Sequence, residues 1–192
     1  MQKIKTKAEI ERQSKRNQLI IGILLILLMM FSTLGYALSG KDDSTGTQKI
    51  DYKGIEFVKD SDYWFFNLQG SDFVVRHNPE EIENISFSGL LSLNDYSNQP
   101  LYFVGSGDAV FEIRRNLDRF VLRMQEACLP EQNCTGDLPI KNCSADNMII
   151  VREPLEEELE SIYQENNCVY IVSEYSNQSM YADAFLFDIL GV

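Results

Sequence analysis

The sequence predicts an α/β (or α+β) fold: an N-terminal transmembrane helix followed by one small mixed-sheet domain with two main amphipathic helices, stapled by disulfides. Three observations predict it. Residues 19–38 form an unbroken stretch without a charged side chain. All four cysteines, Cys128, Cys134, Cys143 and Cys168, lie after that stretch. Beyond residue 50, short β-rich apolar runs alternate with two segments of helical periodicity, the pattern of one layered domain.

The N-terminal segment comes first. Residues 1–18 carry six basic side chains (Lys3, Lys5, Lys7, Arg12, Lys15, Arg16) against Glu9 and Glu11. The stretch that follows, LIIGILLILLMMFSTLGYAL, would span about 30 Å as a helix, the thickness of a bilayer's hydrocarbon. It has no polar stripe, so it does not read as a core helix. In lipid a helix satisfies its own backbone. The basic flank precedes it, and Lys41, Asp42 and Asp43 follow, so the positive-inside rule puts residues 1–18 in the cytoplasm and residues 39–192 outside. The expectation is a single-pass cell-membrane protein that meets the lipid bilayer through residues 19–38. Ala37 and Ser39 suit a signal-peptidase site, but the apolar run exceeds the usual length of such a leader, which favours an uncleaved signal-anchor. A pilin-like layout lacks both the Gly or Ala cleavage position before Asn17 and a Glu at the start of the run.

Residues 39–49 (SGKDDSTGTQK) contain no apolar side chain and read as a flexible stalk. Residues 50–192 read as the extracytoplasmic domain. Residues 55–58, 63–68 and 73–77 read as strands, with Gln69-Gly70-Ser71 as a hairpin turn. The cluster Tyr63, Trp64, Phe65, Phe66 admits two readings. Alternation buries half of it; alternatively it is an exposed aromatic binding surface. Asn78-Pro79 starts a single helical turn. Residues 87–93 read as a short strand, and Asn98-Gln99-Pro100 breaks the chain.

Residues 101–104 form an apolar strand. Gly105-Ser106-Gly107 follows, and Asp108 caps a helix predicted to run to about Cys128, on the spacing of Val110, Ile113, Leu117, Phe120, Val121, Met124 and Cys128. Residues 129–147 read as a loop and residues 148–151 as a buried strand. Residues 154–165 read as a short helix, which makes the flanking strands parallel; a wide hairpin, making them antiparallel, is the alternative. Residues 168–173 form another strand. Ser179 caps a last helix with apolar positions Ala182, Phe185, Leu186, Ile189 and Leu190. Gly191 is placed to end it in a left-handed conformation, with Val192 folding back.

Residues 39–192 hold 27 acidic and 11 basic side chains. That balance excludes nucleic acid as a partner, because binding it requires Lys and Arg to displace phosphate counterions. The four cysteines in an exported domain imply two disulfides, and the preferred pairing is Cys128–Cys134 with Cys143–Cys168. None forms a C-x-x-C, so a thioredoxin-like or zinc-ribbon site lacks its spacing. Of four N-x-S/T sequons, those at Asn84 and Asn177 do not overlap a cysteine and are the better glycosylation candidates.

Chemical motifs are scarce. Gly105-Ser106-Gly107 sits where α/β folds bind phosphate, but a dinucleotide fingerprint lacks its third glycine and a P-loop lacks its Lys-Ser/Thr pair. Ser106 is not in a G-x-S-x-G elbow, and its base would have to be His77, the single histidine. The glutamates at 156–160 read as a solvated face rather than a glycosidase pair or an EF-hand. No catalytic, cofactor-binding or metal-ligating residue is assigned.

The stretches RMQEACLPEQNC, LPIKNCSADNMIIV, YQENNCVYI and ADAFLFDILGV resemble small single-pass archaeal membrane proteins without a known activity. The resemblance spans roughly residues 100–192 and implies an archaeal cell envelope; it brings no functional residues. The expected function is a non-enzymatic, membrane-anchored binding or assembly protein with a membrane or surface protein as partner. The alternatives are a glycan hydrolase of the envelope and a ligand sensor that works through a partner chain.

Overall fold

A computed structural model describes residues 7–39, 48–85, 87–132, 134 and 136–192, without the side chains of 7–14, 32–39 and 88. The chain divides into two compact units, residues 1–47 and 48–192.

The described part of the first unit is one helix, α1 (Lys7–Ser39). Its large apolar side chains between residues 19 and 31 are all exposed, from 46% at Leu27 to 73% at Met29. Among the described residues, no helix is long and apolar enough to cross a membrane. The described side chains of the apolar run extend from Leu19 to Phe31. The rest of the expected span, 32–38, falls among side chains outside the described set. So do residues 1–6 of the expected tail and 40–47 of the expected stalk.

The second unit is mixed α/β with two sheets. The first sheet is an antiparallel meander of β1 (Lys49–Tyr52), β2 (Ile55–Asp60), β3 (Tyr63–Leu68) and β4 (Ser71–Val75). Its hairpins are tight because Lys53-Gly54 and Gln69-Gly70 both take positive φ (52° and 84°, 51° and 83°), the twist a two-residue turn needs. Asp51 and Asn67 each accept the amide of the turn glycine three residues on. Alternation then points Phe57, Trp64, Phe66, Phe73 and Val75 into the core. Phe66 lies 4.6 Å from Phe57 and 5.3 Å from Phe73, ring centre to ring centre.

The second sheet has the order β5-β9-β10-β8-β6-β7, from β5 (Phe87–Ser88), β6 (Pro100–Val104), β7 (Arg123–Glu126), β8 (Asn147–Arg152), β9 (Ser161–Glu165) and β10 (Cys168–Val172). β10, β8, β6 and β7 run parallel, while β9 is antiparallel to β10. Leu101, Phe103, Ile149, Val151, Val169 and Ile171 belong to the main core. Tyr102, Val104, Met148, Ile150 and Cys168 form a second core on the opposite face with Ala127 and Leu129. Both faces are covered, which is why these strands read as continuous apolar runs.

The short α2 (Leu93–Tyr96), α3 (Asp108–Leu117) and α4 (Gln178–Leu190) complete the unit. α4 is enclosed on several sides. Phe187 meets Phe57 and Phe66 of the meander, Phe185 meets Tyr96, and other residues pack on β9 and β10. A helix shared between two sheets is apolar nearly all round. It ends as expected: Gly191 has φ 73°, and the amides of Gly191 and Val192 donate back to Asp188 and Phe187.

Three expected elements are corrected. The helix predicted to reach Cys128 stops at Leu117, and residues 123–126 form β7, hydrogen-bonded along β6 from Pro100 to Phe103. The apolar spacing from Phe120 onward fits either period, and an open sheet edge decided it. Residues 154–165 are not helical. Residues 153–160 loop out, and β9 pairs with β10 through the two-residue turn Asn166-Asn167. β8 and β10 are nonetheless parallel, as the helical reading required, because β9 sits on the far side of β10. The strand expected over 87–93 shrinks to Phe87–Ser88, with α2 beginning at Leu93.

Candidate functional site

The carboxyl ends of β6, β8 and β10 carry three adjoining segments: residues 105–107, 153–160 and 173–177. Open parallel sheets bind ligands at such ends. Gly105 (φ 109°) is required there, since a Cβ would run into the Val151 carbonyl. Gly107 passes 3.7 Å from the Tyr175 ring, measured from the position a Cβ would take.

The loop 153–160 is held at both ends. Arg152 binds both oxygens of Glu158 at 2.6 Å, and Glu158 also accepts the Leu155 amide at 2.8 Å. Arg152 first, and then that amide, hold the Glu158 carboxyl down at about 2. Glu160 accepts from the Glu174 amide at 2.7 Å and from the Asn177 side chain at 3.1 Å and 3.2 Å. Between these clasps the chain turns its leucines outward: Leu155 is 71% and Leu159 84% exposed, with Tyr175 at 69% on the next segment.

A polar cluster lies inside the unit, between α3, α4 and the end of β4. Asp183 on α4 is fully buried and accepts the amides of Arg76 (3.1 Å) and His77 (2.9 Å) and the His77 Nδ1 (2.9 Å). Glu112 on α3, also fully buried, pairs with Arg115 and lies 3.8 Å from the Arg76 Nε. Asn116 takes both the amide and the carbonyl of Val74, and Arg115 adds a second bond to that carbonyl. α3 thereby seals the outer edge of the meander, where unpaired backbone groups would otherwise face a partner.

Burial pushes the Glu112 carboxyl up to about 7, with the charge of Asp183 as the next cause. Burial also raises Asp183, against the bonds it accepts from His77. Glu112 Oε2 and Asp183 Oδ1 have no donor. The charge of Asp183 thus works with burial to disfavour the ionised form of Glu112.

The site residues expected from sequence fall in different places. The Cys128–Cys134 and Cys143–Cys168 pairs are both formed, with Cα separations of 6.2 Å and 5.0 Å. The second ties the loop before β8 to the start of β10, under the outer core. Trp64 and Phe66 are buried while Phe65 is exposed, so the four aromatics do not make one surface; alternation along β3 separates them. Asn84 is exposed after the 3₁₀ turn Pro79–Ile82. Asn177 is half-buried against Glu160, and a glycan there would break that clasp. His77 commits Nδ1 to Asp183, and no hydrogen bond joins it to Ser106. Glu112 and Asp183 are the carboxylates that converge, but they are enclosed, whereas glycoside hydrolysis needs a pair lining a cleft. Among the described residues, no group of three or more His, Cys, Asp or Glu side chains is arranged for a metal ion.

Sequence reasoning missed Glu112, Asn116 and Asp183. Their signal was a polar residue inside a helical segment whose neighbours are apolar, as in Ala182-Asp183-Ala184. No family model, curated protein or solved structure matches the chain.

Proposed function

We propose that the chain is a membrane-anchored binding or assembly protein whose domain, residues 48–192, is displayed outside the cytoplasm and recruits another membrane or surface protein. One observation carries the reading: every large apolar side chain from Leu19 to Phe31 is exposed, all round α1. In water such a surface demands cover. The sequence itself stays uncharged from Leu19 to Leu38, a run that would span about 30 Å as a helix. The basic residues ahead of it favour a cytoplasmic N-terminus. Two disulfides suit an oxidising compartment.

Alkaline carbonate extraction of membranes tests the anchor. The chain is expected to stay in the pellet, with external protease reaching residues 48–192 in intact cells. Recovery in the supernatant would overturn the proposal, as would protection of that domain.

A further inference from the structure

We infer that the rim formed by residues 153–160 and Tyr175 docks a cationic amphipathic helix of a partner protein. The inference rests on the binding reading above and names the chemistry of the partner. Leu155 and Leu159 are among the most exposed large apolar side chains of the domain, and Tyr175 stands on the adjoining segment. A lone exposed leucine is ordinary. Two on one loop, with an exposed tyrosine on the segment hydrogen-bonded to that loop, offer apolar side chains of the kind used at interfaces. The loop is already fixed by the Arg152–Glu158 and Glu160–Asn177 bonds, so a partner would not have to order it.

Charge selects the occupant. Glu153, Glu156, Glu157 and Glu174 are exposed around the leucines. The one cation within residues 152–160 and 173–177 is Arg152, which Glu158 occupies. The rim therefore combines exposed apolar side chains with negative charge that no free cation of its own offsets. Anionic lipid and nucleic acid are repelled. A second copy meeting rim to rim would bring the same negative charge against itself. A helix with a leucine stripe flanked by lysines or arginines fits on both counts.

The test uses the full chain in phosphatidylcholine nanodiscs. The probe is a fluorescent synthetic helical peptide with a leucine stripe and lysines on its other faces, with a glutamate-for-lysine counterpart as control. Empty discs set the background. Binding is expected for the lysine peptide alone, weakening as salt is raised. The double variant Leu155→Ser/Leu159→Ser should bind at least about tenfold more weakly. Both side chains are exposed, so an unchanged melting curve should accompany the loss. Phe65→Ser, an exposed aromatic of the other sheet, should bind as the parent does. Equal binding by the leucine variant overturns the inference, as do equal loss in Phe65→Ser, binding of the glutamate peptide, or a signal no greater than that of empty discs. A chain washed from membranes that still binds the peptide through its leucines would sink the anchored reading and leave rim docking intact.

Discussion

Two regions of the domain treat the same residue types in opposite ways. The rim loop turns leucines to solvent and fastens itself with carboxylates. The junction of α3, α4 and β4 turns carboxylates inward, among apolar side chains. Glu158 and Glu112 mark the contrast. Arg152 holds the first down at about 2, while burial lifts the second to about 7. The junction spends carboxyl burial on holding the two sheets and helices in one arrangement. The rim leaves apolar surface uncovered that folding alone would hide.

The largest expected effect tests whether the junction is structural. Asp183→Ala strands the amides of Arg76 and His77 and the His77 Nδ1. It should cost about 3–5 kcal/mol, the range for breaking a buried polar network, read by denaturant unfolding of the full chain. A loss under about 1 kcal/mol would mean that the cluster is not what fixes the junction. Next comes the cover of the outer core. Replacing Cys143 and Cys168 by serine should lower stability by roughly 2–4 kcal/mol. The Cys128–Cys134 bridge closes a shorter loop, six residues apart in sequence against 25, and should matter less.

The pH dependence then separates the regions. Glu112 holds its proton more tightly folded than unfolded, so the folded state binds more protons between about 4.5 and 7. Its contribution to stability is complete below about 4.5 and is lost as pH rises to about 7. Glu112→Gln should flatten that limb. Glu158 works in reverse. Its lowered pKa adds stability above about 4.5, lost as pH falls toward about 2, and Arg152→Met should abolish that acid limb alone. If both variants altered the same limb, the contrast between the regions would fail.

Much of this was legible in the sequence. The hairpin at Gln69-Gly70, the strands around it and the last helix with its Gly191 stop follow from local chemistry: a positive-φ turn, a period of two and a period of 3.6. What escaped was decided by distant partners. Residues 123–126 became a strand because β6 offered an unpaired edge. Ser161–Glu165 became a strand because Asn166-Asn167 turns it back on β10, and Ile162-Tyr163 was the available hint. Glu112, Asn116 and Asp183 looked like polar interruptions of helical faces, and their partners lie on β4 and beyond, as far as 107 residues away along the chain. The rim was equally hidden, since a run of glutamates with two leucines reads as solvated chain until its clasps are seen.

The smallest expected effect bears hardest on the rim. Leu155→Ser/Leu159→Ser should leave unfolding within about 0.5 kcal/mol of the parent, because neither side chain has a packed environment to lose. The same exchange at Leu101 and Leu117, which are fully buried, should cost several kcal/mol. A surface that contributes little to folding, yet is fastened by an arginine–glutamate clasp on one side and a glutamate–asparagine clasp on the other, is what the proposed docking role requires. A measurable stability loss in the leucine variant would remove that argument, because the loop would then be packed in solution and its leucines already in use.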